Sequence, residues 1–222
     1  MLDFGDARVN RLTRREAMAE AEAAMGGAIH PYDFVSEGDS PSFMMLFDFN
    51  GLRSSENPTW GGWGGRFEVT PTGWSDAKDY NPELGEMDHN YAQARWIGAL
   101  QRDFAARLDW GIASTYGAAN HAPVARIQGD LDRVVQPGEI VKLEGHASDP
   151  DGDALSFRWW HYREAGNLLD AYEGAAAAAR GVSVRVPVAA PPGATIHYIF
   201  EATDDGTPAL RHYQRVVLTV AQ

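Results

Sequence analysis

The sequence predicts an α+β chain: an α/β portion over residues 1–118, then an antiparallel β-sandwich over residues 119–222. Three observations predict it. A wholly apolar run, Phe43-Met44-Met45-Leu46-Phe47, stands between turn signals, as does a strand buried on both faces of a parallel sheet. Apolar residues then recur at helical spacing between Asn90 and Trp110. From Ile140 onward the pattern changes to short alternating runs separated by Pro, Gly and Asp turns, the mark of an antiparallel sandwich.

Taken in order, residues 1–12 carry no clear pattern, and Thr13-Arg14-Arg15-Glu16 reads as a capping box opening a helix. The alanine-rich run to Met25 favours helix, and Gly26-Gly27 stops it. His30 is a lone loop histidine, read as a surface or packing residue. An acidic turn, Glu37-Gly38-Asp39-Ser40-Pro41-Ser42, precedes the apolar run, and Asp48, Asn50 and Gly51 punctuate its end. Then comes Trp60-Gly61-Gly62-Trp63-Gly64-Gly65-Arg66. Glycines beside tryptophans let the backbone approach a ligand closely while the indoles offer flat apolar faces. The competing reading is a tight loop holding two core tryptophans.

Phe67–Thr70 is read as a short strand, and residues 71–88 as one long acidic loop. The helix over 90–110 presents Ile97, Leu100, Phe104 and Leu108 as its buried stripe, with Asp103 and Arg107 spaced to pair. Composition shifts near residue 118, and Pro123 holds His121-Ala122 extended into a first strand. Strands follow at 140–144, 155–162, 182–186, 196–202 and 216–220, with Trp159 or Trp160 as the central core tryptophan. The alanine run 175–179 stays open and fits a short helix crossing between sheets.

Composition narrows the partners. The 222 residues carry 31 acidic against 19 basic side chains, net charge −12, which argues against nucleic acid and anionic membrane and permits cations. At 44% hydrophobic, the chain has the apolar content for a sizeable core. It has no cysteine, hence no disulfide or thiol chemistry. No apolar run has membrane-spanning length, and the first residues show no signal-peptide core.

The turn Asp149-Pro150-Asp151-Gly152-Asp153 alternates three carboxylates, whose mutual repulsion is relieved by turn donors or by a cation such as calcium. It is not an EF-hand loop, because it runs straight into strand residues. Asp204 and Asp205 lie in another interstrand turn, at a distance the sequence does not fix. The alternative is that these aspartates cap their own turns.

The words EGDSPSF, NGL, NP and WGGWGGRF, the helix RDFAARLDW and the run from DPDGD to RWW resemble a bacterial family of cellulose-binding proteins. Those proteins join a nucleoside-hydrolase-like domain to a C-terminal immunoglobulin-like β-sandwich. The resemblance covers the chain from about residue 30 onward and implies the C-terminal part of the first domain followed by the whole of the second. It also implies an extracellular or periplasmic, sugar-related protein.

Nucleoside hydrolases hold calcium in an N-terminal aspartate cluster and a late aspartate, and Asp39, flanked by Glu37, is the residue that matches the latter. No DxDxxxDD cluster precedes residue 37, so a water-activating pocket is incomplete and the catalytic residues are unknown. The expected function is therefore carbohydrate binding, with Trp60 and Trp63 stacking on pyranose rings and Asp39, Asn50 and Arg66 taking hydroxyls. The expected metal ligands are Glu37, Asp39, Asp149, Asp151 and Asp153, with calcium as the cofactor. The alternatives are an N-glycosyl hydrolase completed by another chain, and a structural spacer. An α/β remnant with most of its strands missing would expose edges, so it is expected to pack on the sandwich or form a homodimer.

Overall fold

A computed structural model describes residues 43–48, 50–168 and 177–222. The helix expected over Thr13–Met25, His30, and the acidic residues Glu37 and Asp39 lie outside the described residues. What is described is mostly β with few helices.

The C-terminal part is two sheets packed face to face. One has three strands in the order β5–β7–β9: Val124–Ile127, Ile140–Ser148 and Gly181–Arg185. The other has four in the order β6–β11–β10–β8: Asp132–Val135, Arg211–Val220, Thr195–Thr203 and Ser156–His161. All pairings are antiparallel except β6 with β11, which is parallel and corrects the expectation of a purely antiparallel sandwich.

Inward residues of both sheets share one core of Leu143, Trp159, Val184, Tyr198, Phe200, Val216 and Leu218. Trp159 is the central tryptophan: it is fully buried, lies 5.0 Å from the Phe200 ring, and donates its indole N–H to Arg180 O. Burying a side chain of this size contributes about 1.5–3 kcal/mol, and its polar edge is satisfied as well. Of the alanine run, Ala177 pairs with Trp159 through two backbone hydrogen bonds, while residues 169–176 lie outside the described set.

The first half is organised differently from the prediction. The apolar run is not a buried strand: Phe43–Leu46 closes a single turn, and Phe43, Leu46 and Phe47 are exposed. A strand buried on both faces needs flanking strands and covering helices, and none stand beside it among the described residues.

Phe67–Thr70 is a strand as expected, but residues 71–88 are not one loop: they complete two hairpins. In one, β1 (Phe67–Thr70) pairs with β2 (Gly73–Asp76); in the other, β3 (Asp79–Asn81) pairs with β4 (Glu86–Asp88). Two helices follow, α1 (Tyr91–Ala94) and α2 (Ile97–Ile112). The Asp103–Arg107 pair forms on α2 at 2.6 Å.

The buried face of α2 is not the expected stripe. Ala99, Gln101, Asp103 and Ala106 are buried, while Phe104 and Leu108 are exposed together with Ile112.

The segment packs on the outer face of the four-stranded sheet. Leu52, Trp63, Trp96 and Ala99 cover Tyr162, Ala165, Ile199 and Tyr213, with Trp160 at the margin. Trp96 is the hub, 5.7 Å from Trp160, 5.8 Å from Tyr162 and 5.6 Å from Tyr213. Strand β10 is consequently buried on both faces along almost its whole length.

Candidate functional site

Residues 50–66 form the seam between the loop-rich segment and the sandwich. Backbone carbonyls of Asn50 and Gly51 accept hydrogen bonds from Tyr213 N and Arg215 N, so the segment docks edge-on against β11. Gly51 is the contact point. It has φ +80, and a Cβ there would lie 1.9 Å from Tyr213 O. Asn50 is buried, and its side chain accepts from Leu52 N, capping its own turn.

The glycine–tryptophan motif is built the same way. Gly62 and Gly65 pair through mutual backbone hydrogen bonds of 2.9 Å. A Cβ on Gly61 would come within 2.6 Å of the Tyr162 hydroxyl. The close approach that the glycines permit is to the protein's own sandwich.

Trp63 is 2% exposed and its faces are taken by the core, so it offers nothing to a pyranose ring. Trp60 is half-buried, with the Arg53 guanidinium 4.9 Å from its ring and the edge of His197 5.3 Å away. Arg53 in turn reaches Glu56 and Asp132, which holds it charged.

Beneath lies Arg215, fully buried. It donates to Leu52 O at 2.7 Å, to Gly61 O at 2.8 Å and to His197 Nδ1 at 3.2 Å. A guanidinium has only donors, so His197 accepts at Nδ1 and carries its proton at Nε2. Burial, reinforced by Arg215, pulls His197 down to about 2, and burial lowers Arg215 to about 10.

A second node lies under the hairpins. Asp79 is fully buried and accepts from Arg66 Nε at 2.7 Å, Arg95 Nη1 at 2.8 Å and the Tyr162 hydroxyl at 2.6 Å. Arg66 is thus engaged inside the protein, donating also to Lys78 O, and is not free to take a substrate hydroxyl. Tyr162 is pushed up by burial and by the Asp79 charge, so it stays a hydroxyl donor.

Among the five expected ligand-contacting residues, Asn50, Trp63 and Arg66 therefore serve packing, Trp60 keeps a partly open edge, and Asp39 lies outside the described residues. Of the expected metal ligands, Glu37 and Asp39 are likewise outside, whereas Asp149, Asp151 and Asp153 come together with oxygens within 4.8 Å of one another.

Exposed aromatic rings occur at Phe43, Phe47, Phe104 and Tyr116 and, on the two hairpins, at Trp74 and Tyr80, both within the stretch 71–88 that the sequence reading took for loop. Trp74 is 57% exposed and pairs across its hairpin with Val69; Tyr80 is 46% exposed and pairs with Met87. Each hairpin thus presents one cross-strand apolar pair to solvent. The alternation around Thr70-Pro71-Thr72-Gly73 was the signal that could have found the first pair.

The arrangement defines a class: a β-rich chain whose loop-and-hairpin segment rides on the outer face of a two-sheet module. The family described as "Cellulose-binding Sde182, nucleoside hydrolase-like domain" matches residues 13–67, and "Cellulose-binding protein Sde0182, C-terminal domain" matches residues 140–220. The chain thus resembles these cellulose-binding proteins, their nucleoside hydrolase-like domain over residues 13–67 and their C-terminal domain over residues 140–220.

A solved structure of a nucleoside hydrolase-related hypothetical protein from Saccharophagus degradans, described as associated with carbohydrate metabolism, is similar at 31% identity and a TM-score of 0.67. The similarity covers 84% of this chain and 48% of that one, so the chain spans about half the length of this relative. The three N-terminal domains of the highly immunogenic outer capsid protein of bacteriophage RB49 align at 9% identity and a TM-score of 0.29, over 45% of this chain and 30% of that one. No curated protein matches.

Proposed function

We infer that this chain is a carbohydrate-binding protein that takes cellulose or a related β-glucan on the aromatic faces of its two hairpins. The observation that carries the reading is the pair of exposed rings, Trp74 and Tyr80, each on a short hairpin in a chain similar to cellulose-binding proteins. Indole and phenol faces take the CH-rich faces of pyranose rings by apolar contact, and neighbouring carboxylates accept the hydroxyls. The arginine network under Tyr162 holds the start of β3 rigid, which reduces the ordering cost of binding at Tyr80.

In this reading the C-terminal module is an immunoglobulin-like sandwich serving as platform. Its four- and three-stranded sheets over one shared core, with Trp159 buried at the centre, support that assignment. The sugar ligand class and the family likeness favour an extracellular or periplasmic location.

The test is retention of the full chain on insoluble cellulose and on other β-glucans, beside Trp74→Ala and Tyr80→Ala. Retention by the wild type, with at least a tenfold weaker affinity in Trp74→Ala and an unchanged thermal melt, is the expected result. Wild-type behaviour of both variants, or no retention on any glycan, would overturn the reading.

A further inference from the structure

We propose that Asn120, Asp149, Asp151, Asp153 and Asp204 form a calcium site where the segment after α2 meets the sandwich. The inference is independent of the sugar-binding reading.

Three loops converge there. The connection into β5 supplies Asn120 and His121, the turn between β7 and β8 supplies Asp149 to Asp153, and the turn between β10 and β11 supplies Asp204 and Asp205. Short hydrogen bonds join them: His121 N donates to Asp151 Oδ2 at 2.7 Å, Ala154 N to Asp205 Oδ1 at 2.9 Å, and Asn120 Nδ2 to Asp204 Oδ1 at 3.3 Å.

The turn-capping alternative uses only half of the oxygens. Asp149 Oδ1 accepts from Asp151 N and Asp153 N, and Asp204 Oδ1 accepts from Gly206 N and Leu210 N. The second oxygen of each carboxylate, Asp149 Oδ2 and Asp204 Oδ2, is buried and has no hydrogen-bond partner. Asn120 Oδ1 is in the same condition. Asp204 is 4% exposed and Asn120 8%, so these are not surface groups facing water.

Leaving an acceptor oxygen buried and unpaired on each of these three joined loops is costly, and more so for the two carboxylates. Among the described residues no Lys or Arg ion pair reaches Asp149, Asp153, Asp204 or Asp205, and His121 is the only basic partner of Asp151.

The donor set is oxygen throughout, carboxylates with one amide carbonyl, on interstrand and linker turns; that suits calcium over zinc or copper, which favour nitrogen and sulfur. Such an ion would tie the three loops into one unit. His121, stacked 3.6 Å from Tyr116 and 5.0 Å from Trp110, would carry that constraint to the end of α2.

The test is calorimetric titration of the chelator-treated full chain with CaCl2 and with MgCl2, and melting with each. Expected are saturable calcium binding and a rise in Tm of roughly 5–10 °C at hundredfold excess over Kd. Binding should weaken at least tenfold in Asp153→Asn, whose side chain takes no part in the turn's bonds to Asp149. Asp204→Asn, which keeps an acceptor for Gly206 N and Leu210 N, should do the same. No binding heat and no Tm shift would overturn the site. So would undiminished calcium affinity in both variants, and equal affinity for magnesium would overturn its assignment to calcium.

Discussion

Replacing Asp79 with alanine should loosen the hairpins and α1 from the sandwich. The carboxylate is fully buried and takes one hydrogen bond each from Arg66, Arg95 and Tyr162, at 2.7, 2.8 and 2.6 Å. Removing one partner of a buried ion network costs about 3–5 kcal/mol, because the remaining charges stay buried without compensation. Here the lower end applies. Arg95 keeps Glu164 at 3.5 Å, and Arg66 keeps Lys78 O.

Removing only the hydroxyl, in Tyr162→Phe, should cost about 1.5–3 kcal/mol as the loss of one charge-assisted hydrogen bond. Urea unfolding of both single variants and the double variant gives the coupling directly. The double variant should lose at least about 0.5 kcal/mol less than the sum of the singles, as expected of groups sharing one network. An Asp79→Ala cost under about 1 kcal/mol, or strict additivity with Tyr162→Phe, would refute the view that this carboxylate clamps the two layers together.

Two further outcomes follow from the seam. Gly51→Ala puts a Cβ onto Tyr213 O at a backbone with φ +80, so the 50–52 strip must lift from β11; a loss of at least about 2 kcal/mol in urea unfolding is expected, and a neutral effect would show that the strip is not docked as described. Stability should also fall with acid. His197 is held at about 2 when folded and near its ordinary 6.5 when unfolded, so the unfolded chain binds the extra proton below pH 6.5; stability is complete above that pH and falls by about 1.4 kcal/mol per unit as pH drops, or about 2 kcal/mol from pH 7 to 5. His161 and His212, both lowered by burial to about 4, act in the same direction over that window. Unfolding midpoints at pH 7 and 5 test this, with His197→Asn flattening the slope; equal stability at both pH values would sink it.

Much of the sandwich was legible because its strands obey a period of two and its turns carry Pro, Gly and Asp. Strand β10 shows where that reading stops. Ile196, Tyr198, Phe200 and Ala202 announced the inward face, yet His197, Ile199 and Glu201 between them are buried as well. The outer face is covered by Leu52, Trp63 and Trp96, residues far away in the chain, and nothing in the strand's own pattern reports that cover. Only the doublet Trp159-Trp160 hinted at it, since two adjacent indoles on a strand must face opposite sides, and both sides then need partners.

The first half was harder for a related reason. Strands of three or four residues bearing Asp, Asn and Gly leave too short a run for periodicity, so of the four hairpin strands only Phe67–Thr70 was legible and the other three read as loop. On α2 the larger apolar residues recur at helical spacing, but the buried residues turned out to be Ala99, Gln101, Asp103 and Ala106, which no apolar stripe announces.

The glycine–tryptophan stretch makes the physical point most clearly. Glycine spacing shows that something comes close to the backbone, but not what comes close. At Gly51 and Gly61 the neighbours are Tyr213 O and the Tyr162 hydroxyl, so the motif that looked like a ligand cradle is the joint between layers. Ligand-facing aromatics then have to be sought where side chains remain uncovered, and among the tryptophans of this seam and its hairpins Trp74 has the most exposed indole. Binding by Trp74 and packing by Trp63 are therefore separable: Trp63→Ala should lower the melting temperature, whereas Trp74→Ala should leave it unchanged and weaken only glycan retention.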